Sequence, residues 1–153
     1  MSTATIIATP LVKHFEGLYL KAYYCPAGKL TIGYGCTRDV TEGQIITEAD
    51  ANARLDADLA DAEGDVDDMV TADIADYEKA ALISFVFNLG GHALEQSTLL
   101  RMLNDGDKAT AATEFLKWNK ATVDGVKVSL RGLTLRRQAE STLFATGQVV
   151  LPE

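Results

Sequence analysis

Apolar and polar residues follow two different periods along this chain, and each change of period marks an element. Leu11, Phe15 and Leu18 fall at i, i+4 and i+7, the spacing of one helix face. Thr9 suits the N-cap of such a helix and Pro10 its first turn, where a missing N–H costs nothing. Gly17 suits the C-cap. The period then drops to two. Tyr23 to Cys25, a Pro26-Ala27-Gly28-Lys29 turn and Leu30 to Gly35 predict a β-hairpin. In its second strand Leu30, Ile32 and Tyr34 share one face, while Thr31, Gly33 and Gly35 share the other. That other face has one hydroxyl and otherwise bare backbone, as a bulky ligand lying across a strand requires. Thr37 to Gly43 is polar, a loop or a short third strand.

Helical spacing returns after Thr47, which precedes Glu48-Ala49-Asp50 in a capping-box-like start. Ala53, Leu55, Leu59 and Ala62 form an apolar stripe, and Gly64 is expected to end or kink the helix. The other faces carry Asp56, Asp58, Asp61, Glu63, Asp65, Asp67 and Asp68. A calcium loop fails on spacing, because Gly64 at its sixth position would make Leu59 the first ligand. The acidic run therefore reads as a solvated helix face. Tyr77 to Leu89 is apolar from Ala80 to Phe87, a helix buried on most sides and ended by Asn88-Leu89-Gly90-Gly91. Leu99–Leu103 and Ala109–Leu116 predict two short helices. Trp118 reads as core, a polar loop follows around Gly125, and Leu133–Phe144 is an amphipathic helix closed by Gly147.

Composition narrows the function. A chain of 153 residues, 47% hydrophobic and 24% charged, suits one self-sufficient globular domain. Its net charge of −8 argues against nucleic acid, whose phosphates need a basic surface. Two cysteines do not make a disulfide framework. With a tight turn at Ala27-Gly28, Cys25 would pair opposite Leu30, far along the strand from Cys36, so both are expected as free thiols. The N-terminus lacks a basic segment followed by an apolar run, so no signal peptide or anchor is expected. No stretch approaches the ~20 apolar residues of a membrane span.

The candidate chemistry gathers at the first helix and hairpin. Glu16 would sit in the last helical turn beside Phe15, where the negative end of the helix dipole and an apolar neighbour both disfavour the ionised form. A general acid is poised that way. The run Glu16-Gly17-Leu18-x-Leu20-Lys21-Ala22-Tyr23, followed by Leu30-Thr31-Ile32-Gly33-Tyr34-Gly35, resembles the catalytic helix and hairpin of phage-type lysozymes. The later segments A-L-I-S-F-V-F-N-L-G, S-T-L-L-R-M-L-N, E-F-L-K-W and G-L-x-x-R-R-x-A-E-x-x-L-F resemble the same family, so the likeness runs from about Leu11 to Gly147.

The resemblance implies an α+β, mostly helical fold in a single domain, 1–153. A small hairpin lobe (about 12–46), a connecting helix (about 47–68) and a helical lobe (about 74–147) would enclose a cleft. It implies a muramidase that cuts the peptidoglycan glycan chain, with Glu16 as the acid and Thr31 holding the attacking water. The position between them, usually Asp and in some members Cys, is Cys25. Arg136 would pair with Glu16, and Asn88, Gly33 and Gly35 would meet substrate. No metal or cofactor is implied. The implied partner is the bacterial glycan strand, met by a monomer that is made in the host cytoplasm and reaches the wall after release. A glycan-binding module that kept the cleft without the chemistry, and a scaffold on the same fold, are the rival readings.

Overall fold

The computed structural model describes residues 1–152. Helix α1 runs Thr3–Glu16, and its N-cap is Ser2, whose Oγ accepts from the Thr5 N–H at 3.1 Å. It begins well before the expected cap at Thr9, whose hydroxyl instead donates to the Thr5 carbonyl at 2.7 Å. Pro10 lies inside the helix. It faces solvent, as does Ile6, whose carbonyl loses its helical partner, so water can take the place of the missing N–H. Leu11 is buried as expected, but Leu18 lies beyond the helix and is exposed. Gly17 closes α1 at φ 72°, its N–H donating to the Lys13 carbonyl.

Strands β1 (Tyr19–Tyr24) and β2 (Leu30–Gly33) form the antiparallel hairpin, with Tyr23 opposite Thr31 and Tyr24 opposite Leu30. Cys25 therefore faces Lys29 rather than Leu30, its N–H donating to the Lys29 carbonyl at 2.9 Å. Gly28, at φ 82°, bonds back to the Cys25 carbonyl and so closes the turn on that pair. Both thiols are free, Cys25 half-buried and Cys36 buried. Third-strand pairing falls at Gln44–Ile46, where Ala22 donates to Gln44 and Ile46 to Leu20.

Helix α2 (Glu48–Met69) starts on the expected Thr47–Asp50 capping box. It does not end at Gly64 but runs 22 residues, about 33 Å of helix. Gly64 meets nothing within 4 Å, and Leu59, Ala62 and Val66 bury the stripe on both sides of it. The N-terminal end of that stripe is Ala51; Ala53 is exposed. Helix α3 (Asp76–Leu89) is the axle of the larger lobe, with α1, α2 and α7 packed round it and Ala80 to Phe85 fully buried.

Helices α4 (Gly91–Glu95), α5 (Thr98–Asn104) and α6 (Lys108–Glu114) follow, then a 3-10 turn at Phe115–Lys117. The expected polar loop after Trp118 is instead a second hairpin, β3 (Lys120–Val123) and β4 (Val126–Ser129). Asp124 and Gly125 both take positive φ there, the two-residue turn that an Asp-Gly pair favours. Trp118 packs edge-on to Phe85 at 5.5 Å, on the margin of the core. Helix α7 (Arg131–Thr146) closes on Gly147 in the left-handed conformation. No helix among the described residues is long and apolar enough to cross a membrane.

Candidate active site

The first helix ends where the two lobes meet, so its last side chain is delivered into the gap between them. Glu16 is about one-fifth exposed, and its Oε2 accepts from Arg136 Nη1 at 2.6 Å across the lobes. Arg136 is itself buried, with its guanidinium over the Phe15 ring at 5.8 Å. Its Nε reaches Glu140 Oε2 at 3.3 Å and its Nη2 reaches the Ser84 carbonyl at 3.3 Å. With Nε on Glu140 and Nη2 on Ser84, the guanidinium presents Nη1 to Glu16.

The turn after β2 presses on the same carboxylate. A Cβ on Gly35 would lie 2.5 Å from Glu16 Oε1, and Gly35 has φ 75°. Gly35 is thus glycine for two reasons, the backbone conformation and the approach of the acid. Gly33 is different. The side that lacks a Cβ faces Ala51 of α2 at 3.4 Å, and Ile46 lies behind it. Gly33 was expected to be bare for a ligand; its bareness here serves the seating of α2 on the hairpin.

Thr31 is almost fully buried, and its hydroxyl donates to the Lys29 carbonyl at 2.9 Å. Its only proton is spent there, so the oxygen's lone pairs remain to accept. Hydrogen bonding from the Lys29 backbone, with smaller help from the Ala27 backbone, holds the Cys25 thiol below its ordinary value against a little desolvation. Tyr23, across from Thr31, has its phenol pushed up, first by burial and then by the neighbouring charges of Tyr19, Glu16 and Cys25. In the sequence Tyr23 is only one letter of a motif, yet it stands in the field of both Glu16 and Cys25.

Asn88 sits at the end of α3, and its Oδ1 accepts from Arg137 Nη2 at 2.8 Å. Phe15, Glu16, Asn88, Leu130, Leu133 and Arg136 line a hollow of about 340 Å³ on one side of the acid. A second hollow of about 250 Å³ opens on the far side of Gly35, between α2 and α3, lined by Thr37, Arg38 and Asp58 among others. Glu16 lines the first hollow, and Gly35, against which it rests, lines the second. The structure brings Glu16, Gly35, Arg136 and Asn88 together, and sets Thr31 and Cys25 on the adjoining hairpin. Residues missed from sequence are Ser84, Arg137 and Glu140, for which the i, i+3 and i+4 spacing of Arg136, Arg137 and Glu140 on α7 was the only signal available.

Residues 13–140 match the family model described as phage lysozyme. The chain belongs to the phage lysozyme family. It is 44% identical over 134 residues to the endolysin of Acyrthosiphon pisum secondary endosymbiont phage 1, covering 88% of this chain and 92% of that one. It is 45% identical over 141 residues to the endolysin of Bacillus phage B103, covering 90% of this chain but spanning about half (52%) of that longer protein. The muramidase domain of SpmX from Asticcacaulis excentricus superposes with a TM-score of 0.89 at 36% identity, covering 95% of this chain and 99% of that one. This phage lysozyme is accordingly an enzyme of the lysozyme class, with the α+β fold that the sequence pointed to.

Proposed function

We propose that this lysozyme hydrolyses the β-1,4 bond between N-acetylmuramic acid and N-acetylglucosamine in bacterial peptidoglycan, with Glu16 as general acid. The observation that carries this is the seating of Glu16: in the wall of a hollow, against the bare backbone of Gly35, bonded to a buried arginine at 2.6 Å. Protonated Glu16 gives its proton to the bridging oxygen as the bond from that oxygen to the muramic C1 breaks. Arg136 then stabilises the carboxylate that remains. A water attacks C1 from the opposite face, which makes the reaction inverting.

Thr31 supports the water side because its free lone pairs can accept from that water. Cys25 supports it as the base, its thiolate favoured by the hairpin backbone. The thiolate takes one proton of the attacking water, and passing that proton to solvent while Glu16 regains its own completes the cycle. Asn88 contributes an amide to a sugar ring on the Glu16 side. The whole chain serves as one catalytic unit, since one apolar core runs from Ala4 in α1 to Phe144 in α7. It works as a monomer that meets the wall after release, in keeping with relatives named endolysin.

A thiol where a carboxylate is commoner favours a second reading, a glycan-binding module with weakened chemistry. Glu16→Gln separates the two. Gln is nearly isosteric but cannot donate, and general acid catalysis contributes about 10²–10⁴-fold. Lysis of purified walls should fall by that factor with melting little changed. A Glu16→Gln variant lysing walls at a third of the parent rate would remove Glu16 from the mechanism, and a parent protein that binds walls without releasing reducing ends would establish the second reading.

A further inference from the structure

Behind Glu16 the structure continues inward as a chain of alternating charges. Glu16 bonds Arg136 at 2.6 Å, and Arg136 Nε bonds Glu140 Oε2 at 3.3 Å. Glu140 Oε1 lies 2.8 Å from Arg137 Nε, and Arg137 Nη2 bonds Asn88 at 2.8 Å. Glu140 and Arg137 have no exposed surface. Burying a carboxylate so completely costs several kcal/mol unless partners compensate; here Oε2 accepts from Ser84, Arg136 and Arg137, whereas Oε1 has the Arg137 charge beside it but no aligned hydrogen bond. Two guanidinium groups share one carboxylate, and Arg136 also donates to Glu16 and Arg137 also to Asn88, both of which line the same hollow.

We propose that Glu140 is a positioning residue for the reaction: one buried carboxylate that aims Arg136 at Glu16 and Arg137 at Asn88. Its charge also decides how much of the Arg136 charge reaches the acid. With Glu140 in place, Arg136 divides its attraction between two carboxylates. Without it, Arg136 would turn the whole of its charge on Glu16. For Asn88, the bond from Arg137 fixes the amide oxygen inward and leaves the NH₂ free to face substrate. The inference rests on the assignment of Glu16 as the acid.

The groups facing Glu16 are Arg136 from α7 and Tyr23 from the first hairpin; in the last turn of its own helix Lys13 lies over the Tyr34 ring and His14 packs on Phe15, and Cys25 acts on the same Tyr23. Those facing Glu140 are Ser84 from α3 and Arg136 and Arg137 from α7. The test is the pH–rate curve for wall lysis, whose alkaline limb marks loss of the proton from the acid. Glu140→Gln removes a negative charge and should move that limb down by about one pH unit. Arg137→Gln removes a positive charge and should move it up by a similar amount, whereas Arg137→Lys keeps the charge and should leave it in place. A residue that only supported the fold would lower the amount of active protein without moving the limb. Should Glu140→Gln fail to fold, the Arg137 pair decides: limbs that differ between Gln and Lys support the proposal, and coincident limbs overturn it. An active parent whose limb is unmoved in every variant overturns the role of Glu140 alone, whereas an undiminished Glu16→Gln overturns the assignment beneath it.

Discussion

Replacing Gly35 by alanine should disable this lysozyme far more than it destabilises it. The new methyl carbon would lie 2.5 Å from Glu16 Oε1, where ordinary contact begins near 3.4 Å, so the carboxylate must retreat by roughly 1 Å. The end of a glutamate side chain moves easily, so the clash itself adds little to the folding cost. The backbone adds more: an L-residue at φ 75° costs about 1–2 kcal/mol. For a chain of this size that lowers Tm by about 2–8 °C. Retreat of the carboxylate lengthens its 2.6 Å bond to Arg136 and, under the proposed role of Glu16, takes the proton away from the glycosidic oxygen. A displacement of that size costs about 10²-fold in rate. The control is Gly106→Ala between α5 and α6, with φ 88° and nothing within 4 Å. It should melt lower by a similar amount and lyse normally. Turbidity loss of a wall suspension and a thermal melt, run on both variants, measure the two effects. If both lose the same small fraction of activity per folded molecule, the close approach of Gly35 to Glu16 has no catalytic meaning and the reasoning fails.

Position 25 can be tested by pH. The thiol is held below its ordinary value of about 8.5, so its thiolate fraction rises with pH through the neutral range, and under the proposed role of Cys25 the water-side assistance rises with it. Cys25→Asp, ionised above about pH 4, should lyse faster near pH 6–7, by about 10-fold, and reach its plateau at lower pH than the parent. Cys25→Ala should lose the rising component; one pH–rate curve shared by all three proteins would leave Cys25 without a part. Thiol titration of denatured, unreduced protein should find two reactive groups, as the separate, free Cys25 and Cys36 require, and finding none would contradict the hairpin geometry. Gly33→Ala, at φ 68° and 3.4 Å from Ala51, should cost about 1–2 kcal/mol of stability while lysis per folded molecule stays close to the parent's. A large fall in lysis without a change in melting would return Gly33 to the substrate face.

Local pattern was enough for much of this protein. The C-caps at Gly17 and Gly147, the box at Thr47, the first hairpin and the buried run of α3 are properties of a few neighbouring residues, and chemistry over that range is visible in a sequence. What failed were readings in which a residue's neighbours lie elsewhere in the chain. Pro10 and Gly64 look like breaks, but each lies in a helix whose other side is held by the core, and packing outweighs about 1–3 kcal/mol of poor propensity. Gly33 and Gly35 are indistinguishable in the sequence, and only the approach of α2 to one and Glu16 to the other separates them. The pairing of Arg136 with Glu16 came from family likeness, not from spacing, because the two lie 120 residues apart. Nothing local on the amphipathic helix singles out Arg137 and Glu140, or says that a second arginine and Ser84 will meet the same carboxylate. Charges can be buried only where partners from several elements converge, and that convergence exists only once the lobes have closed on α3.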